Sequence, residues 1–180
     1  MFSSPLQSLV AAVFSPGQSS SQRLEHRRMS RSAAISTVRN QFRTLNKPRI
    51  LLADDSEQIL RTVSRLLDVQ FEVIGSVLNG EQAIEGTLRL KPDVLVLDIM
   101  MPVMDGLEAA RSLKRVGSPA KIVFLTGLED PAIMETAIEL GGNGYVFKSQ
   151  LLTDLPLAIH AALAGRTFLS TEPGFRGRNL

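Results

Sequence analysis

Polar residues with chemical potential stand where short apolar runs end. Asp54 and Asp55 follow Ile50-Leu51-Leu52-Ala53, Asp98 follows Val94-Leu95-Val96-Leu97, Thr126 follows the run from Lys121 to Leu125, and Lys148 follows the run from Gly144 to Phe147. Three carboxylates and one ammonium in one place repel unless a cation joins them. A hard divalent ion such as Mg2+ answers that need, because it accepts carboxylates, water and phosphate oxygens. A carboxylate beside such an ion is a nucleophile towards phosphorus, with metal and lysine neutralising the phosphoryl oxygens and a hydroxyl such as that of Thr126 bonding the product. Asp98 suits the nucleophile, since it ends the most apolar and so most central run, and the adjacent pair Asp54 and Asp55 suits the metal. The chain has no cysteine and only two histidines, which excludes thiolate catalysis, disulfides and Cys-ligated metals.

The elements that position these residues are legible from Arg49 onward. Ile50 to Ala53 reads as a buried strand, and Ser56 caps a helix that places Ile59, Leu60, Val63, Leu66 and Leu67 on one face. Phe71 to Leu78 reads as a second strand, and Asn79-Gly80 opens a helix carrying Ala83, Ile84, Thr87 and Leu88. Val94 to Leu97 is continuous and β-branched, as a central strand covered on both faces should be. A helix follows Gly106, a fourth strand spans Lys121 to Leu125, and a fourth helix spans Pro131 to Leu140 before Gly141-Gly142. Gly144 to Phe147 is the fifth strand, and Leu151 to Ala164 the fifth helix, closed by Gly165. Five strand–helix units in succession predict an α/β fold with a parallel sheet, since each parallel crossover needs its own helix. Ligands of such sheets bind beyond the carboxyl ends of the strands, where the polar residues stand.

Composition sets the rest of the frame. Residues 1–47 carry seven Lys and Arg against Glu25, a net of +6, and residues 48–165 carry ten basic and sixteen acidic side chains, a net of −6. The Ser-, Gln- and Arg-rich stretch 1–47 reads as a disordered basic extension; a secretory signal would want a basic start, yet no Lys or Arg precedes its apolar run Leu6 to Phe14, and an Arg- and Ser-rich, acid-poor leader would also suit an organelle transit peptide. The acidic domain repels phosphate backbones, so DNA binding is not expected of it. No apolar run approaches the ~20 residues of a membrane-spanning helix, and a cytoplasmic, membrane-free protein is the expectation.

The motifs together carry a family resemblance. Leu51-Leu52-Ala53-Asp54-Asp55-Ser56, Leu97-Asp98-Ile99-Met100-Met101-Pro102-Val103-Met104-Asp105-Gly106, Leu125-Thr126-Gly127 and Gly144-Tyr145-Val146-Phe147-Lys148-Ser149, in this order, closely resemble the receiver domain of two-component response regulators. Taken singly these residues have plainer readings: helix capping for Asp54 and Asp55, turn shaping for Pro102 and Gly106, half-buried packing for Tyr145. The conjunction outweighs them. The resemblance spans about residues 48–165 and implies a flavodoxin-like receiver fold, a five-stranded parallel sheet in the order 2-1-3-4-5 with five helices. The expected boundaries are the extension 1–47, the receiver 48–166 and a short tail 167–180 without an output domain.

The resemblance also implies roles. Asp98 is the phosphoacceptor; Asp55, Asp98 and the backbone carbonyl of Met100 ligate Mg2+ directly, and Asp54 does so through water. Lys148 contacts the phosphoryl oxygens. Thr126 and Tyr145 are the switch pair, the hydroxyl moving towards the phosphoryl group and the ring rotating inward behind it, which biases the face of helix four, strand five and helix five. Partners are a histidine kinase or histidine-phosphotransfer protein upstream and a protein docking on that face downstream; the face also offers a homodimer surface. Met100 and Leu128 occupy the positions that flank the path of hydrolytic water in this family, and neither can activate water, so slow self-dephosphorylation is expected.

The segment from Lys148 through Leu152 to Gly165-Arg166-Thr167-Phe168-Leu169-Ser170 is similar to the receiver end of regulators with a LuxR-type helix-turn-helix, yet only ten residues follow Ser170. The expectation is a stand-alone receiver that signals by docking and catalyses only its own phosphorylation and dephosphorylation. A truncated LuxR-type transcriptional regulator and a phosphorylation-independent interaction module are the alternatives. A phosphatase with an aspartyl-phosphate intermediate is disfavoured, because it would want a second acid where Met100 stands.

Overall fold

The structure is a computed structural model that describes residues 47–128 and 130–171. The expected extension therefore lies outside the described residues, Lys47 excepted, as does residue 172 onward. The elements run β1 (Arg49–Ala53), α1 (Glu57–Leu67), β2 (Glu72–Val77), α2 (Gly80–Leu90), β3 (Val94–Leu97), α3 (Gly106–Arg115), β4 (Lys121–Thr126), α4 (Pro131–Glu139), β5 (Gly142–Phe147), a 3-10 turn (Lys148–Gln150), α5 (Leu151–Leu163) and β6 (Phe168–Leu169).

Local chemistry starts each helix where it does. Ser56, Asn79, Asp105 and Asp130 each accept a hydrogen bond from a first-turn backbone N–H, at 3.4, 2.9, 2.8 and 2.9 Å. Each cap contributes about 1 kcal/mol by satisfying a donor that the helix itself leaves orphaned. Helix α5 has no side-chain cap and is entered through the 3-10 turn instead.

All strand pairs are parallel, in the order β2-β1-β3-β4-β5-β6. The expected five-stranded sheet is corrected to six strands, with the expected order intact for the first five. The sixth was invisible to periodicity because two residues show no alternation. Phe168 pairs with Gly144 and Leu169 with Tyr145, so the sheet runs past residue 166 into the segment read as a tail.

Strand alternation divides the core in two. On one face Ile50, Leu52, Val96, Val123, Leu125 and Val146 pack against α1 and α5. On the other, Leu51, Ala53, Leu95, Leu97, Phe124 and Tyr145 pack against α2, α3 and α4. Both faces of β3 are covered, and all four of its residues are buried. No helix among the described residues is long and apolar enough to cross a membrane.

Candidate acceptor site

The carboxyl ends of β1, β3, β4 and β5 bring the expected residues to one place. Asp54 and Asp98 are buried and Asp55 is exposed, and a carboxylate oxygen from each lies within 4.8 Å of the others. Lys148 bridges the buried pair, its Nζ lying 2.7 Å from Asp54 Oδ2 and 2.8 Å from Asp98 Oδ2. The remaining oxygens take backbone donors: Ser56 N–H reaches Asp54 Oδ1 at 2.9 Å, and Met100 N–H reaches Asp98 Oδ1 at 3.4 Å.

Burial pushes the Asp98 carboxyl above its ordinary value, the Lys148 hydrogen bond and charge opposing it and the Asp54 charge adding to it. For Lys148, burial pulls the ammonium down, but its contacts with Asp54 and Asp98 outweigh burial and hold it above its ordinary value. The ammonium is charged at any physiological pH. Asp54 Oδ2 is buried and has no hydrogen-bond donor, only the charge contact with Lys148. An oxygen-only donor set of three clustered carboxylates fits a hard cation.

Backbone close approach fixes the loop that follows Asp98. Gly106 donates its N–H to Ile99 O at 2.8 Å, and a Cβ on Gly106 would fall 2.1 Å from Asp98 O. Residues 50–160 match the response regulator receiver domain family. The chain belongs to that family.

Relatives of this receiver agree in fold and in sequence. The transcriptional regulatory protein YvfU of Bacillus subtilis is 37% identical over 129 residues, covering 71% of this chain and 64% of that protein. The chain spans about 60% of the length of the curated relatives it matches, from 59 to 64% for the first four. The signal receiver domain of NarL from Mycobacterium tuberculosis superposes with a TM-score of 0.65 at 28% identity, covering 67% of this chain and 99% of that one. The isolated receiver of RcsB from Salmonella enterica serovar Typhimurium, with phosphomimetic BeF3-, gives a TM-score of 0.64 at 28% identity over 69% of this chain and 94% of that one.

The switch candidates of the receiver make their side-chain hydrogen bonds with Leu128 and not with the carboxylates. Thr126 is buried at the end of β4, and its Oγ1 accepts the Leu128 N–H at 3.1 Å. Tyr145 is buried with its ring inward, and its hydroxyl donates to Leu128 O at 3.0 Å. One residue's backbone thus ties the two side chains together. The sequence reading singled out Leu128 for its side chain and missed this, because a backbone group leaves no mark in residue type.

Burial, with the Asp130 charge behind it, raises the Tyr145 phenol from 10.0 to about 12. A raised pKa means that folding favours the protonated phenol, so this contribution is whole below pH 10.0 and is lost as pH climbs through about 12. Raising pH from about 9 to about 11 should therefore cost about 1 kcal/mol through this group. Urea midpoints of the wild type and of Tyr145→Phe at both pH values check it. Equal pH dependence in the two proteins would exclude the phenol as the source.

Proposed function

We propose that this receiver accepts a phosphoryl group on Asp98 from a phosphohistidine donor and thereby alters the surface formed by α4, β5 and α5. The observation that carries the reading is the Lys148 ammonium, 2.8 Å from an Asp98 carboxylate buried beside two further acids. An Asp98 oxygen attacks phosphorus, the new O–P bond forming as the P–N bond to the donor imidazole breaks and its electron pair returns to nitrogen. Burial strips water from the attacking carboxylate. Lys148 holds the carboxylate in place and meets the phosphoryl oxygens with positive charge. Asp54, Asp55, Asp98 and the Met100 carbonyl would hold Mg2+, which supplies further positive charge to the phosphoryl oxygens. The Thr126 hydroxyl can exchange its bond from Leu128 for one to the phosphoryl group, and Tyr145, held by the same Leu128, receives the change.

The similarity to a receiver solved with a phosphomimetic supports the reading. The upstream partner is a histidine kinase or a histidine-phosphotransfer protein, and the downstream partner a protein that docks on the α4, β5 and α5 surface. The test is incubation with acetyl phosphate and Mg2+ followed by intact mass spectrometry; the addition of one phosphoryl group that requires Mg2+ is expected. No addition, under conditions that modify another receiver, would turn the reading towards a phosphorylation-independent interaction module.

Lifetime follows from the neighbours of the acceptor. Met100 is 61% exposed, and its N–H reaches Asp98 Oδ1. Neither it nor Leu128 can orient water for hydrolysis. Met100→Asn with Leu128→Glu should speed loss of the phosphoryl group about tenfold, a barrier lowered by ~1.4 kcal/mol. Decay followed by mass after removal of the donor measures it, and an unchanged rate would show that these side chains do not govern hydrolysis.

A further inference from the structure

The sixth strand lies directly beside Tyr145. Ser170 donates its N–H to Tyr145 O at 2.8 Å, and its hydroxyl donates to Asp154 Oδ2 of α5 at 2.6 Å. Gln150 Nε2 donates to Thr171 O at 2.8 Å. The register pairs Tyr145 with Leu169, which puts the two side chains on one sheet face; Phe168 packs on the other, against the core that includes Val146 and Leu155. Leu169 is 46% exposed on the edge strand and is the register partner of the fully buried Tyr145.

A chain of contacts joins this strand to Thr126 at the end of β4. Thr126 Oγ1 is bonded to Leu128 N–H, Leu128 O to the Tyr145 hydroxyl, Tyr145 O to Ser170 N–H, and the Ser170 hydroxyl to Asp154. The hold is modest. Two paired residues make a marginal strand, and Gln150 Oε1 is buried beside it without a hydrogen-bond partner. Segments with so few contacts open locally far more readily than the core.

We propose that residues 168–171 act as a strap that keeps the Tyr145 ring buried, so that seating of β6 on β5 and the state of the Asp98 pocket are linked. The strap favours the inward ring, and by linkage whatever favours the inward ring seats the strap. The strap's hold on the ring stands on the geometry alone, while its link to the pocket rests on the phosphoacceptor reading.

Tyr145 is the only tyrosine and the chain has no tryptophan, so intrinsic fluorescence reports this ring alone. In Leu169→Gly combined with Ser170→Ala, amide exchange at residues 168–171 should quicken, and acrylamide quenching of Tyr145 should rise about twofold or more as the exposed ring gains population. Leu169→Met should restore the wild-type quenching. Loading the wild type with acetyl phosphate and Mg2+ should slow exchange at residues 168–171. Faster strap exchange with unchanged quenching would overturn the hold on the ring. Phosphoryl addition by mass with no change at the strap would overturn the link and leave the acceptor reading intact. No phosphoryl addition would overturn the acceptor reading and the link together, with the quenching comparison still deciding the hold on the ring.

Discussion

Asp98→Asn should take up no phosphoryl group from acetyl phosphate and Mg2+, a loss of more than about a thousandfold in rate relative to the wild type. The amide lacks the anionic oxygen that attacks phosphorus, yet it keeps the size of the carboxylate. Its oxygen can still accept from Lys148 Nζ, which stands 2.8 Å from Asp98 Oδ2. The fold should therefore survive, and it should gain stability near neutral pH. Burial holds the Asp98 carboxyl above its ordinary 3.8, so the folded chain resists the charged form, and ionisation at neutral pH weakens folding relative to a neutral isostere. The gain should fade as pH falls through the folded and then the ordinary value, where the wild type also becomes neutral. Intact mass and thermal melts on the same samples separate the two effects. Mass addition in the variant would move the acceptor to Asp54 or Asp55, whose oxygens lie within 4.8 Å.

Gly106→Ala should destabilise the receiver by at least about 3 kcal/mol, because its added methyl meets backbone and not a side chain that can swing away. The new Cβ would fall 2.1 Å from Asp98 O, 2.9 Å from Asp98 C and 3.0 Å from Ile99 Cα. Relief requires the loop after β3 to move, and that movement breaks the 2.8 Å bond from Gly106 N–H to Ile99 O at the start of α3. A fall in Tm of more than about 10 °C is expected. Gly127 is the control: a Cβ there meets nothing within 4 Å, and Gly127→Ala should stay within about 0.5 kcal/mol of the wild type. Equal melting of the two variants would show that the loop yields without cost. Surviving Gly106→Ala protein should also load more slowly, since the displaced carbonyl belongs to Asp98, the proposed acceptor.

Much of the fold was legible because the pattern is dense where burial is complete. Val94-Leu95-Val96-Leu97 has no polar break, and β3 is covered on both faces with every residue buried. The alternation in β1 sends Leu52 to one core and Leu51 to the other. The caps were legible only in part: Ser56 stands before an amphipathic run and was read as a cap, whereas Asp105 and Asp130 were not, their side-chain bonds being confirmed only in the folded geometry. The sixth strand was missed because its support is not local. Phe168 and Leu169 owe their conformation to Tyr145, Gln150 and Asp154, sixteen or more residues away for each bond that anchors the segment's side-chain contacts.

By itself the sequence determined which residue types stand at the ends of apolar runs, how many crossovers separate them, and therefore that Asp54, Asp98, Thr126 and Lys148 share one edge of a parallel sheet. Tertiary structure alone decided which of them touch. Lys148 lies 50 positions from Asp98 in the chain, and whether its ammonium reaches that carboxylate depends on strand register and on the turn after β5, which no local pattern encodes. It alone decided that Thr126 bonds Leu128 and not the carboxylates, that the Tyr145 ring lies inward, and that Gly106 leaves no room for a methyl. The physical reason is range: periodicity and capping act over a few residues, whereas contact distances of a few ångströms are set only when every crossover has packed its helix onto the sheet.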